Sequence, residues 1–164
     1  MKSIFLVGFM GSGKSTIGKQ LAKKLKLNYL DTDELIEQKA KKKIKDIFAE
    51  DGENVFRDLE YQVLTSACDP VGYVISTGGG IVERKENREW LTTKQVVYLK
   101  TSWETIKQRL RSDRDRPIWQ DQSRDKQLLL TKRDFLYSNI ANVTIETDNQ
   151  GVDQIVDQIH SIFE

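Results

Sequence analysis

The chain has 164 residues, 38% of them apolar and 31% charged, with 26 basic against 25 acidic side chains. That length suits one domain with a sizeable core, and a formal charge of +1 offers no bulk electrostatic reason to bind nucleic acid or an acidic membrane surface. A single cysteine, Cys68, and a single histidine, His160, exclude an internal disulfide framework and a histidine-based metal cluster or triad; with no leader-like or membrane-length apolar stretch, a cytoplasmic location is expected.

The first apolar run, Ile4-Phe5-Leu6-Val7, reads as a strand. It leads into Gly8-Phe9-Met10-Gly11-Ser12-Gly13-Lys14-Ser15-Thr16, and a helix then follows with Ile17, Leu21 and Leu25 at four-residue spacing. Strand, glycine-rich loop and helix in that order make a phosphate-binding loop rather than a plain glycine turn. Glycines let backbone N–H groups turn inward around a phosphate chain, and the helix N-terminus adds partial positive charge. Lys14 can reach the β- and γ-phosphates, and the Ser15 hydroxyl can take one Mg²⁺ position.

Asn28-Tyr29-Leu30 is a second short strand, ending in Asp31-Thr32-Asp33. Carboxylates just past a strand end, opposite a phosphate loop, can serve Mg²⁺ or a substrate hydroxyl. Thr32 or Asp33 can also cap the helix that carries Leu35 and Ile36, and the two roles are compatible. Five lysines follow (Lys39, Lys41, Lys42, Lys43, Lys45). No aromatic residue is interleaved for base stacking, so they are expected on a solvated helix face. Asp51-Gly52 marks a turn.

The next helix places Val55, Phe56, Leu59, Val63, Leu64 and Ala67 on a core stripe. Arg57 and Glu60 fall off that stripe, where surface residues are usual. Pro70 and Gly72 break the chain before the strand Tyr73-Val74-Ile75-Ser76, which ends in Thr77-Gly78-Gly79-Gly80. Three glycines in a row cost backbone entropy, and they point either to backbone approaching a ligand or to a tight turn.

Val96-Val97-Tyr98-Leu99 is a fourth strand, and Trp103, Ile106 and Leu110 mark the helix after it. The polar stretch from Arg111 to Pro117 has no apolar period; in a protein with a phosphate loop it reads as a lid whose arginine closes over the transferring phosphate. Leu128, Leu129, Phe135 and Leu136 imply another helix, which carries Lys132 and Arg133. Val143-Thr144-Ile145 is the fifth strand; Val152, Ile155, Val156, Ile159 and Phe163 form the last helix. Alternating strands and helices mean an α/β domain, a parallel sheet covered on both faces. Ligands then collect outside the carboxyl ends of the strands, where residues 8–15, Asp31, Asp33 and the three glycines lie.

Two functional classes compete, a phosphotransferase with a bound acceptor and a nucleotide-gated switch. Asp69-Pro70-Val71-Gly72 has an Asp-x-x-Gly form, and Thr131-Lys132-Arg133-Asp134 has the form of a guanine-reading Thr-Lys-x-Asp. The first precedes a strand where a GTPase has it follow one, and the second falls in a helical pattern where it should end a strand. The kinase is favoured. Arg57 and Arg133 are then candidates to pair with an acidic acceptor.

Along nearly its whole length the chain resembles the shikimate kinase family. The resemblance is carried by the phosphate loop, Asp31-Thr32-Asp33, Phe56-Arg57-Asp58-Leu59-Glu60, Ser76-Thr77-Gly78-Gly79-Gly80, Arg116-Pro117 and the segment from Arg133 to Leu136-Tyr137. It implies a three-layer P-loop fold with a five-stranded parallel sheet in the order 2-3-1-4-5, a substrate-binding segment over about 32–60 and a lid over about 112–124. It also implies transfer of the ATP γ-phosphate to the 3-hydroxyl of shikimate, on the way to chorismate and the aromatic amino acids. By position, Gly11, Ser12, Gly13, Lys14, Ser15 and Thr16 would bind the ATP phosphates, with Ser15 and Asp31 serving Mg²⁺. Asp33 would bind shikimate hydroxyls and is the candidate base. Arg57 and Arg133 would hold the carboxylate, Gly78, Gly79 and Gly80 would line the acceptor site, and Arg116 would be the lid arginine. Arg109 and Gln150 would flank the adenine. ATP and shikimate are the implied partners of a monomer, with neither nucleic acid nor membrane involved. Two stretches depart from the family pattern: Ile118-Trp119 where leucines are usual, and Asp148-Asn149-Gln150-Gly151 in the adenine loop.

Overall fold

The computed structural model describes residues 1–68 and 71–164. In chain order it comprises β1 (Ile4–Val7), α1 (Lys14–Leu25), β2 (Asn28–Asp31), α2 (Thr32–Ala40), α3 (Ile44–Glu50), α4 (Glu53–Ser66), β3 (Tyr73–Ser76), α5 (Lys85–Leu91), β4 (Gln95–Lys100), α6 (Trp103–Leu110), α7 (Pro117–Gln120), α8 (Lys126–Ile140), β5 (Val143–Glu146) and α9 (Val152–Phe163). The five strands pair in parallel in the order β2-β3-β1-β4-β5, as expected.

The sheet is buried on both faces, and β1 shows how. Ile4 and Leu6 pack with Ile17 and Leu21 of α1 and with Ile155, Val156 and Ile159 of α9. Phe5 and Val7 face the other way, into a cluster with Leu64, Leu91, Ile106 and Tyr137. All four β1 side chains are therefore buried, which is why the strand reads as an unbroken apolar run rather than an alternation. A third cluster, Ile36, Ile47, Phe56 and Val63, gives α2, α3 and α4 a core of their own. None of the described helices is long and apolar enough to cross a membrane.

Register puts the functional loops on one edge. Leu6 is level with Ser76, and Ser76 with Asp31, so the residues that follow β1, β2 and β3 leave the sheet side by side. Thr77 Oγ1 donates to the Leu6 carbonyl at 2.8 Å, and Gly78 N–H donates to the buried Thr32 hydroxyl at 3.0 Å. Ser76 Oγ donates to the Lys14 carbonyl at 2.8 Å, which pins the start of α1 to β3.

Several expectations are corrected. The helix after β2 is capped by Asp31, whose Oδ1 accepts from Asp33 N–H at 2.9 Å, and not by Thr32 or Asp33. The lysine run is not one helix face: Lys41 sits at the left-handed end of α2 (φ 54°) and Lys43 caps α3, so the lysines straddle a helix junction. In α8 Leu128 and Phe135 are exposed, Phe135 by 67%, while Arg133, Tyr137 and Ile140 face inward. That helix is rotated to bring an arginine into the site. Helix α5, with only Asn87 and Leu91 buried, has no apolar stripe and was not expected. Of the Asp-x-x-Gly segment, Asp69 and Pro70 lie outside the described residues, as does the expected break at Pro70. The Thr131-Lys132-Arg133-Asp134 segment lies within α8 and ends no strand.

Gly18 shows how tightly α1 is set against the sheet. A Cβ there would lie 2.7 Å from both Ser76 Oγ and Tyr29 Cε2. Gly18→Ala gains about 1 kcal/mol of helix propensity but overpacks a closed contact at about 1–3 kcal/mol. The expected outcome is a net loss of about 1 kcal/mol, read as a lower urea midpoint; a raised midpoint would show that α1 can slide off the sheet.

Candidate active site

A cavity of about 870 Å³ opens along the edge where β1, β2 and β3 end, and every site residue anticipated above lines it. One end is the loop between β1 and α1. Gly13 caps α1 at φ 92°, a left-handed conformation that a side chain would strain. Lys14 Nζ reaches back across the loop to the carbonyls of Gly8 (2.7 Å) and Phe9 (3.0 Å). Burial lowers the Lys14 pKa to about 8, with nearby Asp33 resisting the shift. A phosphate chain in the loop would supply the missing negative charge. Arg109 of α6 lies over the loop and donates to the Gly11 carbonyl at 2.8 Å. Gln150 is engaged locally, donating to the Glu146 carbonyl and accepting from Gln158.

In the middle of the cavity, Ser15 Oγ donates to Asp31 Oδ2 at 3.2 Å, and Tyr29 OH approaches the same oxygen at 3.4 Å. Asp31 thus caps α2 through one oxygen and presents the other to Ser15. Asp33 sits two residues on, in the first turn of α2, its Oδ1 buried and without a hydrogen-bond partner. Burial, then the charges of Asp31 and Glu60, push its pKa from 3.8 up to about 7. A buried acceptor with no donor, poised near neutrality, is suited to take a hydrogen bond or a proton from a hydroxyl.

The far end is built from two buried arginines. Arg57 of α4 is only 6% exposed and Arg133 of α8 only 2%, so the surface placement expected for Arg57 is corrected. Arg57 NH1 donates to Glu60 Oε1 at 2.9 Å, and Glu60 is itself fully buried. Burial works against the Arg57 charge, but Glu60 and Glu53 outweigh it and hold the pKa above its ordinary value. Arg133 Nε donates to Glu83 Oε1 at 2.6 Å. Glu60 and Glu83 were not anticipated as site residues. The three-residue spacing of Arg57 and Glu60 on one helix is a signal for the first pair; nothing local marks Glu83.

The three glycines explain how these groups come so close. A Cβ on Gly78 would lie 2.7 Å from Asp33 Oδ1 and 3.2 Å from Glu60 Oε2; one on Gly79 would lie 3.2 Å from Met10 N and 3.6 Å from Arg133 NH1. One on Gly80 would overlap the Arg57 guanidinium. The Gly79 carbonyl also accepts from Tyr137 OH. Arg116, about half exposed, stands at the mouth, paired with Asp113.

Comparison with known proteins identifies relatives of this chain. The shikimate kinase family model matches residues 10–164. The chain belongs to the shikimate kinase family. The shikimate kinase of Bacillus cereus (strain AH187) is 45% identical over 161 residues, covering 97% of this chain and 96% of that protein. Among solved structures, the shikimate kinase from Acinetobacter baumannii in complex with shikimate superposes with a TM-score of 0.94 at 37% identity, covering 99% of this chain and 93% of that one. That of Aquifex aeolicus gives 0.84 at 30% identity, with 96% and 93% covered. Members of the shikimate kinase family are ATP-dependent kinases.

The raised Asp33 pKa fixes a sign for stability. The folded chain holds that proton more tightly than the unfolded chain, so ionised Asp33 costs nothing below about pH 4 and its full penalty above about pH 7. Asp33→Asn should therefore leave stability little changed at pH 4 and raise it by about 1–3 kcal/mol at pH 8. Urea unfolding at both pH values checks this; equal effects would show that the carboxyl is not penalised by its surroundings.

Proposed function

We propose that the chain transfers the γ-phosphate of ATP to the 3-hydroxyl of shikimate, giving shikimate 3-phosphate and ADP in the route to chorismate. One observation carries the reading. A single cavity holds a phosphate loop at one end, two buried arginines at the other, and between them a carboxylate whose Oδ1 has no partner. Shikimate is a carboxylic acid with ring hydroxyls, so its carboxylate pairs with Arg57 and Arg133 while the reacting hydroxyl meets Asp33. Gly78, Gly79 and Gly80 give the ring a wall without side chains.

At the nucleotide end, backbone N–H groups of residues 11–16 and Lys14 cradle the phosphates, and Arg109 and Gln150 flank the adenine. Mg²⁺ fits here. Ser15 Oγ and Asp31 Oδ2 are a hydroxyl and a carboxylate oxygen 3.2 Å apart, and no group of three His, Cys, Asp or Glu converges among the described residues. The chain therefore offers a small oxygen set, the usual protein share for Mg²⁺ bound alongside nucleotide phosphates and water. The ion would neutralise charge on the β- and γ-phosphates. Lys14 and Arg116 stabilise the equatorial oxygens of the transferring group, and Asp33 orients the attacking hydroxyl in line. Residues 112–124 act as a lid and residues 32–60 as the substrate-binding segment. The reading includes a cytoplasmic monomer acting on small molecules alone, and the near-balanced charge supports the absence of nucleic-acid or membrane partners.

The test is ADP release from MgATP with shikimate, gluconate, a nucleoside monophosphate or no acceptor. Shikimate-dependent release is expected, with kcat/KM for shikimate falling as the pH drops below about 7 and Asp33 gains its proton. Release driven by another acceptor would overturn the substrate. Arg57→Ala should raise the KM for shikimate by about 10–100-fold, the worth of a hydrogen-bonded charge pair, with a smaller effect on the KM for ATP. Lys14→Met should lower kcat by about 100–1,000-fold.

A further inference from the structure

Glu53 opens α4, and its carboxylate is divided between two arginines. Oε2 accepts from Arg124 NH2 at 2.5 Å; Oε1 accepts from Arg57 NH2 at 3.4 Å. Arg124 belongs to the lid, just before α8, where its Nε also donates to Asp121 at 3.0 Å. Arg57 has its other terminal nitrogen on Glu60. One carboxylate therefore joins the far end of the lid to the arginine that faces the acceptor. A second, weaker tie runs in parallel: Lys45 Nζ on α3 lies 4.0 Å from Asp115, one residue from Arg116, and α7 packs against α3.

We propose that Glu53 is a positioning residue that transmits the placement of the lid to Arg57, so that nucleotide and acidic acceptor bind cooperatively. The inference rests on the functional reading above, in which Arg57 holds the acceptor carboxylate and residues 112–124 are the lid. Phosphates that draw Arg116 inward carry the lid with it, Arg124 included. Arg124 then sets where the Glu53 carboxylate lies, and Glu53 sets the NH2 side of the Arg57 fork while Glu60 holds the NH1 side. A planar guanidinium pairs with a carboxylate only when its fork is aimed, so the lid's position governs acceptor affinity. By linkage, acceptor bound to Arg57 favours the nucleotide by the same factor.

The experiment is calorimetric titration of shikimate into the full chain, with and without saturating MgADP. It is run for the wild type, Arg124→Ala, Arg124→Lys, Glu53→Gln and the Glu53→Gln/Arg124→Ala double variant. MgADP is expected to tighten shikimate binding to the wild type by about fivefold or more. Arg124→Ala should reduce that factor below about twofold while leaving nucleotide-free shikimate affinity within about twofold, and Arg124→Lys should restore part of it. The double variant should be no worse than either single one, because both cut the same link. Should Glu53→Gln fail to fold, the Arg124 pair of variants still decides the matter. A wild type that binds no shikimate overturns the functional reading and the relay with it. A wild type that binds both ligands without coupling, or an Arg124→Ala variant that keeps full coupling, overturns the relay alone.

Discussion

The closeness of Asp33, Arg57 and Arg133 to one another depends on a stretch of backbone with nothing attached to it. Gly78 lies against Asp33 and Glu60, Gly79 between Met10 and Arg133, and Gly80 against the Arg57 guanidinium. A side chain on Gly78 or Gly80 would displace Asp33 or Arg57, and one on Gly79 would crowd the Met10 backbone nitrogen. The backbone cannot retreat either. Gly78 N–H is held by the Thr32 hydroxyl, Thr77 is tied to the Leu6 carbonyl, and the Gly79 carbonyl is held by Tyr137. Glycine's entropic cost in the unfolded chain is accepted because three helices must place polar side chains around one ring-sized space.

That space concentrates unfavourable electrostatics. Buried groups of both signs lie around it, and only some are paired. Arg57 has Glu60 and Arg133 has Glu83, so the two arginines are solvated by carboxylates before any acceptor arrives. Asp33 has no such partner, and its carboxyl shares the region with Asp31 and Glu60. The imbalance is local: the loop end is short of negative charge around Lys14 and the middle is short of positive charge or donors around Asp33. On the proposed reading, an anionic nucleotide and a polyhydroxylated acid would relieve both deficits, and ligand binding would recover free energy that folding spent on preorganisation.

What could be read from the sequence follows from how local each feature is. The phosphate loop needs nine contiguous residues between a strand and a helix, and the order of the strands follows from alternation with helices plus the family resemblance. Asp31 and Asp33 were legible because they lie where an apolar run gives way to a helix, although which residue caps α2 depends on backbone geometry at the β2–α2 junction. Arg57 and Glu60 were harder to place. Periodicity marks one stripe per helix, but α4 is buried on two sides, by the apolar cluster with Ile36 and Ile47 and by the cavity. Helix α8 forms where its apolar residues implied one, but its apolar Leu128 and Phe135 face outward while Arg133 and Tyr137 face inward. Helix α5, reading Lys-Glu-Asn-Arg-Glu-Trp-Leu, has no apolar period to detect. Glu83 depends on a contact across fifty residues, and no spacing rule reaches that far.

The lysine run illustrates how position changes meaning. As a continuous helix face it would be solvation alone, yet the break between α2 and α3 divides it. Lys42 turns to Glu50 and Asp51, Lys43 to Glu37, and Lys45 to Asp115, one residue before Arg116. These are exposed pairs, screened by solvent, and they do not hold the fold together. Their effect is on placement: Lys43 and Lys45 edge the cavity beside Asp115, where α7 packs against α3. On the proposed reading of residues 112–124 as a lid, weak exposed pairs suit that seam better than a buried one, because a lid held by several kcal/mol could not reopen at the rate that product release demands.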